Sequence, residues 1–148
     1  EAIIGQAIGA KDRARLRRGV WITAKWGLIT GCLLSAMFAL FGGGVIAFMT
    51  SSPDVREASL SYLPWMVAAP IAGVAAWMLD GIFIGATRTG EMRNAMMVSF
   101  GVYVIAVLGL VPALDNHGLW AALLVFFLAR GVTLGVLYPR VEHAAAAP

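Results

Sequence analysis

The sequence predicts an all-α, polytopic membrane helix bundle: four full transmembrane helices plus the end of a preceding one. Three observations lead there. Of 148 residues, 60% are hydrophobic and 13% charged, with a mean hydropathy of +0.82, whereas a soluble domain carries about 25% charged residues. The charges are bunched, and apolar runs of twenty residues or more separate them, enough to cross a ~30 Å hydrocarbon core. The basic residues flank those runs, so the pI of 9.5 reflects membrane topology and not a nucleic-acid partner. Intrinsic disorder, a disulfide scaffold and a nucleic-acid-binding module are excluded together. The lone Cys32 lies inside a span and offers neither a disulfide nor a metal cluster.

Residues 1–10 read as a helix end, small and apolar through Gly9-Ala10. The chain opens Glu1-Ala2-Ile3-Ile4-Gly5, with no Met and no signal-peptide layout, and is expected to be a fragment of a longer protein. A basic run follows, in which Lys11, Arg13, Arg15, Arg17 and Arg18 place five positive charges in eight residues. The first complete span is residues 20–49. At ~1.5 Å per residue it exceeds the hydrocarbon core, so Trp21, Lys25 and Trp26 are expected to anchor its first turns at the interface. Thr50-Ser51-Ser52-Pro53-Asp54 is a stop and turn signal.

The second span covers about 60–86, with Pro64 and Pro70 expected to bend it. Gly73, Gly81 and Gly85 supply small residues for close helix approach. A polar connection through Arg88–Asn94 leads to the third span at 95–114, and Asp115–Gly118 forms a second loop before the fourth span at 119–138. Residues 140–148 are Ala-rich and are expected to form a disordered cytoplasmic tail. Residues 1–139 thus make one partial transmembrane lobe.

Four spans alternate sides, which sorts the charges. Lys11, Arg13, Arg15, Arg17, Arg18, Lys25, Arg88, Arg93 and Arg140 fall on one side and only Arg56 on the other, nine against one. Short loops rich in Lys and Arg stay inside. The loops at 11–18 and 88–93 and the C-terminus are therefore expected to be cytoplasmic, in a bacterial-type inner membrane. The basic run has two readings: a solvated topology determinant, or a surface for anionic lipid headgroups, worth ~1 kcal/mol per basic residue.

Ionisable groups inside the bilayer cost at least ~2.5–3.5 kcal/mol on insertion scales, and two lie deep, Asp80 and Arg130. Asp80 stands seven residues before Thr87, Arg130 eight before Tyr138. Both are therefore ~10–12 Å from the same face, which predicts an ion pair or one shared polar cavity. Two readings follow: a purely structural pair, or an Asp80 that faces an ion or substrate path beside Trp77, Phe83 and Ile84, an aromatic–acidic face suited to lipophilic cations. Ser99 and Tyr103 are weaker polar candidates, and His117 and His143 read as isolated. No metal site, phosphate loop, nucleophile–base constellation or paired carboxylates appear in the sequence, so no enzyme and no bound cofactor are expected.

Three stretches resemble the multidrug and toxic compound extrusion (MATE) family, specifically its branch named for DNA-damage-inducible protein F. These are Glu1–Asp12, Leu79-Asp80-Gly81-Ile82-Phe83-Ile84-Gly85 through Asn94, and Leu128-Ala129-Arg130-Gly131 through Arg140. The resemblance implies the C-terminal lobe of a two-lobe, twelve-helix transporter, whose full spans here are helices nine to twelve. It implies a central cavity, drug-like substrates, a missing N-terminal lobe as partner, and coupling to H⁺ or Na⁺. In the sodium-coupled branch a carboxylate matches Asp80, with a tyrosine one turn earlier where this chain has Ala76. In the branch resembled here, proton coupling is attributed to an aspartate of the N-terminal lobe. The function expected is secondary-active export of lipophilic, cationic compounds by alternating access. The alternatives are a lipid-linked precursor flippase, which would favour a strongly cationic cavity, and a non-transporting packing subunit, which would bury Asp80 and Arg130 with no cavity beside them.

Overall fold

The computed structural model describes residues 1–146, which form α1 (Ala2–Gly9), α2 (Arg13–Met49), α3 (Pro53–Gly85) and α4 (Thr89–Ala144). The turns are far tighter than the polar stretches suggested. Lys11 takes a left-handed conformation (φ 53°). The Asp12 amide donates back to the Ala7 carbonyl (2.9 Å) and the Lys11 amide to that of Ile8 (3.0 Å), the paired bonds that close a helix C-terminus. Asp12 then caps α2, accepting from the Arg15 amide at 2.8 Å. The end of α3 repeats the device with Thr87 (φ 56°), whose amide donates to Ile84 while that of Arg88 donates to Phe83, both at 2.9 Å. The basic residues 13–18 are thus the first turns of α2, not a loop.

At the opposite end, Thr50 is extended and Pro53 opens α3 at its first position, where its missing amide costs nothing. The helix starts seven residues before the expected 60 and runs unbroken through Pro64 and Pro70.

One residue, Asp115 (φ 49°, ψ −131°), interrupts α4. The chain reverses there, so residues 89–114 and 116–144 lie side by side as antiparallel arms. Gly118 sits against the Leu110 backbone, Tyr103 meets Phe126 with centroids 6.0 Å apart, and the Ser99 and Thr133 hydroxyls are 3.2 Å apart. The expected four-residue loop at 115–118 is reduced to a single non-helical residue. Four full crossings plus the short α1 form an all-α membrane bundle.

The second arm of α4 runs parallel to α3 with a nearly constant offset. Trp65 meets His117, Trp77 meets Phe127, and Asp80 meets Arg130, at separations of 52, 50 and 50 residues. Antiparallel α2 packs on the other side of α3, with Gly31 against Pro70 and Val74 and Gly42 against Leu63, small residues that let backbones approach. α1 wedges beside the end of α3, where Gly85 lies against Glu1 and Ile4.

The buried core gathers at the basic end. Phe83, Leu16, Ile82, Leu134 and Val141 are all at most 1% exposed there, among Ile4, Ala7, Leu79 and Ala145. Leu40, Phe48, Ile105, Leu108 and Val136 point outward, as lipid contact requires.

The tail corrects the sequence reading. The helix continues to Ala144, and Val141 and Glu142 are buried; residues 147 and 148 lie outside the described residues. The reason is Glu142, whose carboxylate accepts from Arg13 Nη2 (2.7 Å) and Nε (3.2 Å) and from Arg17 Nε and Nη2 (both 2.9 Å). Nearby, Arg88 donates to the Arg140 carbonyl (3.0 Å), and Glu91 pairs with Arg88 (2.6 Å) and Arg140 (3.6 Å). Hydrogen bonds from Arg17 and then Arg13 hold the Glu142 carboxyl down at about 2, from an ordinary 4.5. Because the unfolded chain binds this proton more tightly, the clasp contributes fully above pH 4.5 and is lost as the pH falls toward 2. In a thermal unfolding series on purified protein, Glu142→Gln should lower the midpoint at neutral pH and remove the clasp's share of the decline across that acid window. Equal acid sensitivity in both proteins would show that the clasp is not a source of it.

Candidate functional site

Polar chemistry inside the bilayer converges on the interface between α3 and the second arm of α4. Gly131 brings the arm close to α3: a Cβ there would lie 3.3 Å from that of Ala75. One residue earlier, Arg130 reaches Asp80 in a two-pronged contact, Nε to Oδ2 at 3.0 Å and Nη2 to Oδ1 at 2.5 Å. Such fork-to-carboxylate pairing fixes geometry as well as charge. The partners are unequally covered. The Arg130 side chain is 3% exposed and that of Asp80 22%. Arg130 Nη1 is buried and has no hydrogen-bond partner among the described residues.

The pair belongs to a longer polar seam. The Thr133 hydroxyl donates to the Arg130 carbonyl (3.0 Å) and lies 3.2 Å from that of Ser99, which donates to the Ala95 carbonyl (2.8 Å). Each hydroxyl has a carbonyl on its own helix and a neighbour on the facing arm, so the buried Ser99 and the part-buried Thr133 are both satisfied.

The remaining candidates separate. Trp77 lies one turn from Asp80, half exposed, folded over Gly73 and edge-on to Phe127 at 5.5 Å. Ile84 is exposed. Phe83 does not share their face: it is fully buried in the core at the basic end. Leu79, Ile82, Phe83 and Ala86 form one apolar stripe at helical spacing, and that stripe carried the signal. The basic cluster also divides. Arg13 and Arg17 are committed to Glu142, while Arg15 donates to the Gln6 side chain at 3.0 Å.

Two features escaped sequence reasoning. His117 is not isolated: its Nδ1 accepts from Trp65 Nε1 at 2.9 Å, and its ring lies 4.8 Å from that of Tyr62. Next to it, at the end away from the core, α2, α3 and the second arm border a half-open cavity of about 660 Å3 lined by Met37, Phe41, Tyr62, Met66, Asn116 and Trp120. Met37 with Phe41 and Tyr62 with Met66 are each four apart, the available but unspecific signal.

The DNA damage-inducible protein F of Escherichia coli (strain K12) is 42% identical to this chain over 141 residues, covering 95% of the chain and 30% of that protein. The chain thus spans less than a third of its relative's length. No solved structure matches. The MatE family profile matches residues 1–110, from α1 into the first arm of α4, and the chain therefore belongs to the MatE family.

Proposed function

We propose that this chain is the C-terminal-lobe part of a secondary-active exporter that moves lipophilic, cationic compounds by alternating access. The observation that carries the cargo class is the 660 Å3 cavity. Its walls are aromatic and methionine side chains with few polar groups, a lining that adapts to varied apolar ligands. A lipid-linked precursor flippase is less well supported, because the one intramembrane arginine, Arg130, is already paired with Asp80. A pure packing subunit fits poorly with the residual exposure of Asp80 beside Trp77.

In this reading the basic end faces the cytoplasm, the cavity end faces outward, and the driving gradient is H⁺ or Na⁺. The Asp80–Arg130 pair holds α3 and the fourth crossing in fixed register, and no bound cofactor or catalytic group is required. The full-length chain, expressed in cells lacking their own exporters, should lower accumulation of a fluorescent lipophilic cation. Collapsing the coupling gradient should abolish the effect. Unchanged accumulation of a well-expressed, membrane-inserted protein would remove the exporter reading. In a background with every cysteine, Cys32 included, replaced by alanine, a cysteine at Asn116 should label from outside and one at Gly90 from inside; the reverse pattern would invert the orientation.

A further inference from the structure

Among the basic residues of the first turns of α2, Arg18 is left without a hydrogen-bond or ion-pair partner among the described residues. It lines a groove of about 500 Å3 between α1 and α2, together with Ile3, Asp12, Arg15, Gly19 and Ile22. The chemistry changes in order along this groove. Arg15 and Arg18, both exposed and one turn apart, line it near the start of α2. Gly19 is buried and forms a floor against Ile3. Ile22, one turn beyond Arg18, and Ile3 are about half exposed and carry the groove toward the apolar span. Trp21 and Trp26, both exposed, mark the depth at which headgroups end.

We propose that this groove binds one anionic phospholipid, its phosphate between Arg15 and Arg18 and an acyl chain along Ile3, Gly19 and Ile22. Charge complementarity selects the occupant. Arg15 and Arg18 supply two positive charges, and the one acidic group, Asp12, is turned to the Arg15 amide as the cap of α2. Arg13 and Arg17 are drawn to the shared Glu142 carboxylate, which offsets one of their two charges, and neither lines the groove. An apolar slot that begins at two arginines fits an amphiphile; a soluble anion would leave Ile3 and Ile22 uncovered. The site does not depend on the exporter reading, only on the bundle being in a bilayer.

The test titrates the full-length protein in micelles with phosphatidylglycerol, phosphatidylcholine or inorganic phosphate, and follows bound lipid by native mass spectrometry. Phosphatidylglycerol should bind in preference to phosphatidylcholine. R15Q/R18Q should weaken it by about 25-fold, fivefold for each arginine at the interface. Both side chains are exposed, so the fold should survive. Ile22→Trp, which fills the chain slot without touching charge, should also weaken binding, while Arg93→Gln, at the same end but outside the groove, should not. Undiminished binding in R15Q/R18Q, an equal loss in Arg93→Gln, or displacement by millimolar inorganic phosphate would each overturn the proposal.

Discussion

Asp80→Asn should destabilise the folded bundle more than Arg130→Gln, and the double change should recover most of the loss. Removing one partner of a buried ion pair costs about 3–5 kcal/mol, because the survivor keeps its desolvation penalty without its attraction. The two survivors are not equivalent. With Asp80 gone, the stranded charge is Arg130, 3% exposed and already carrying one unpartnered nitrogen; with Arg130 gone, it is Asp80, whose side chain keeps 22% exposure. The asparagine still offers one carbonyl oxygen, but no charge. In Asp80→Asn/Arg130→Gln two amides replace two charges and can hydrogen-bond across the same gap. Denaturant titration of the full-length protein in micelles, alongside the efflux assay, separates the roles of the pair. Recovery of both folding and transport in the double variant makes the pair structural. A well-folded Asp80→Asn that cannot transport, and is not rescued by Arg130→Gln, assigns ion or substrate handling to Asp80.

The second large effect falls on a glycine. Gly118→Ala should be the most damaging single-methyl addition in the last two crossings. Its Cβ would press into the Leu110 carbonyl and lie 2.8 Å from the Val111 nitrogen, and both are backbone atoms that cannot rotate aside. The arms are joined at one residue, Asp115, so neither can retreat without opening the reversal. The loss should lie at or above the upper end of the ~1–3 kcal/mol seen for overpacking. Gly109→Ala supplies the contrast on the first arm: nothing lies within 4 Å of its added methyl, and helix propensity favours alanine by up to ~1 kcal/mol. Opposite signs for the two substitutions in one unfolding assay support the tight hairpin. Equal tolerance would mean that the arms are farther apart.

The crossings and the Asp80–Arg130 meeting were legible because both rest on one-dimensional quantities. Hydropathy gives spans and counting gives depth, and two charges at equal depth have few other places to go. The turns were not legible in the same way. Lys11 and Thr87 occupy left-handed positions usually signalled by glycine, so the polar stretches around them read as loops. Glu142 sits in an alanine-rich tail, and its partners lie 129 and 125 residues away. No local pattern announces such a pairing. Phe83 shows the limit of counting along one helix: it is three residues from Asp80, yet the stripe through Leu79, Ile82 and Ala86 rolls it into the core.

The parallel offset between α3 and the fourth crossing also sets an order of events during synthesis. Asp80 leaves the ribosome 50 residues before Arg130. At roughly 5–20 residues per second, that is a delay of about 3–10 s. For that interval α3 has to lodge in the bilayer on its hydropathy alone, with its carboxylate awaiting a partner two crossings away. The fourth crossing is therefore the one whose arrival gives the α3 carboxylate its partner.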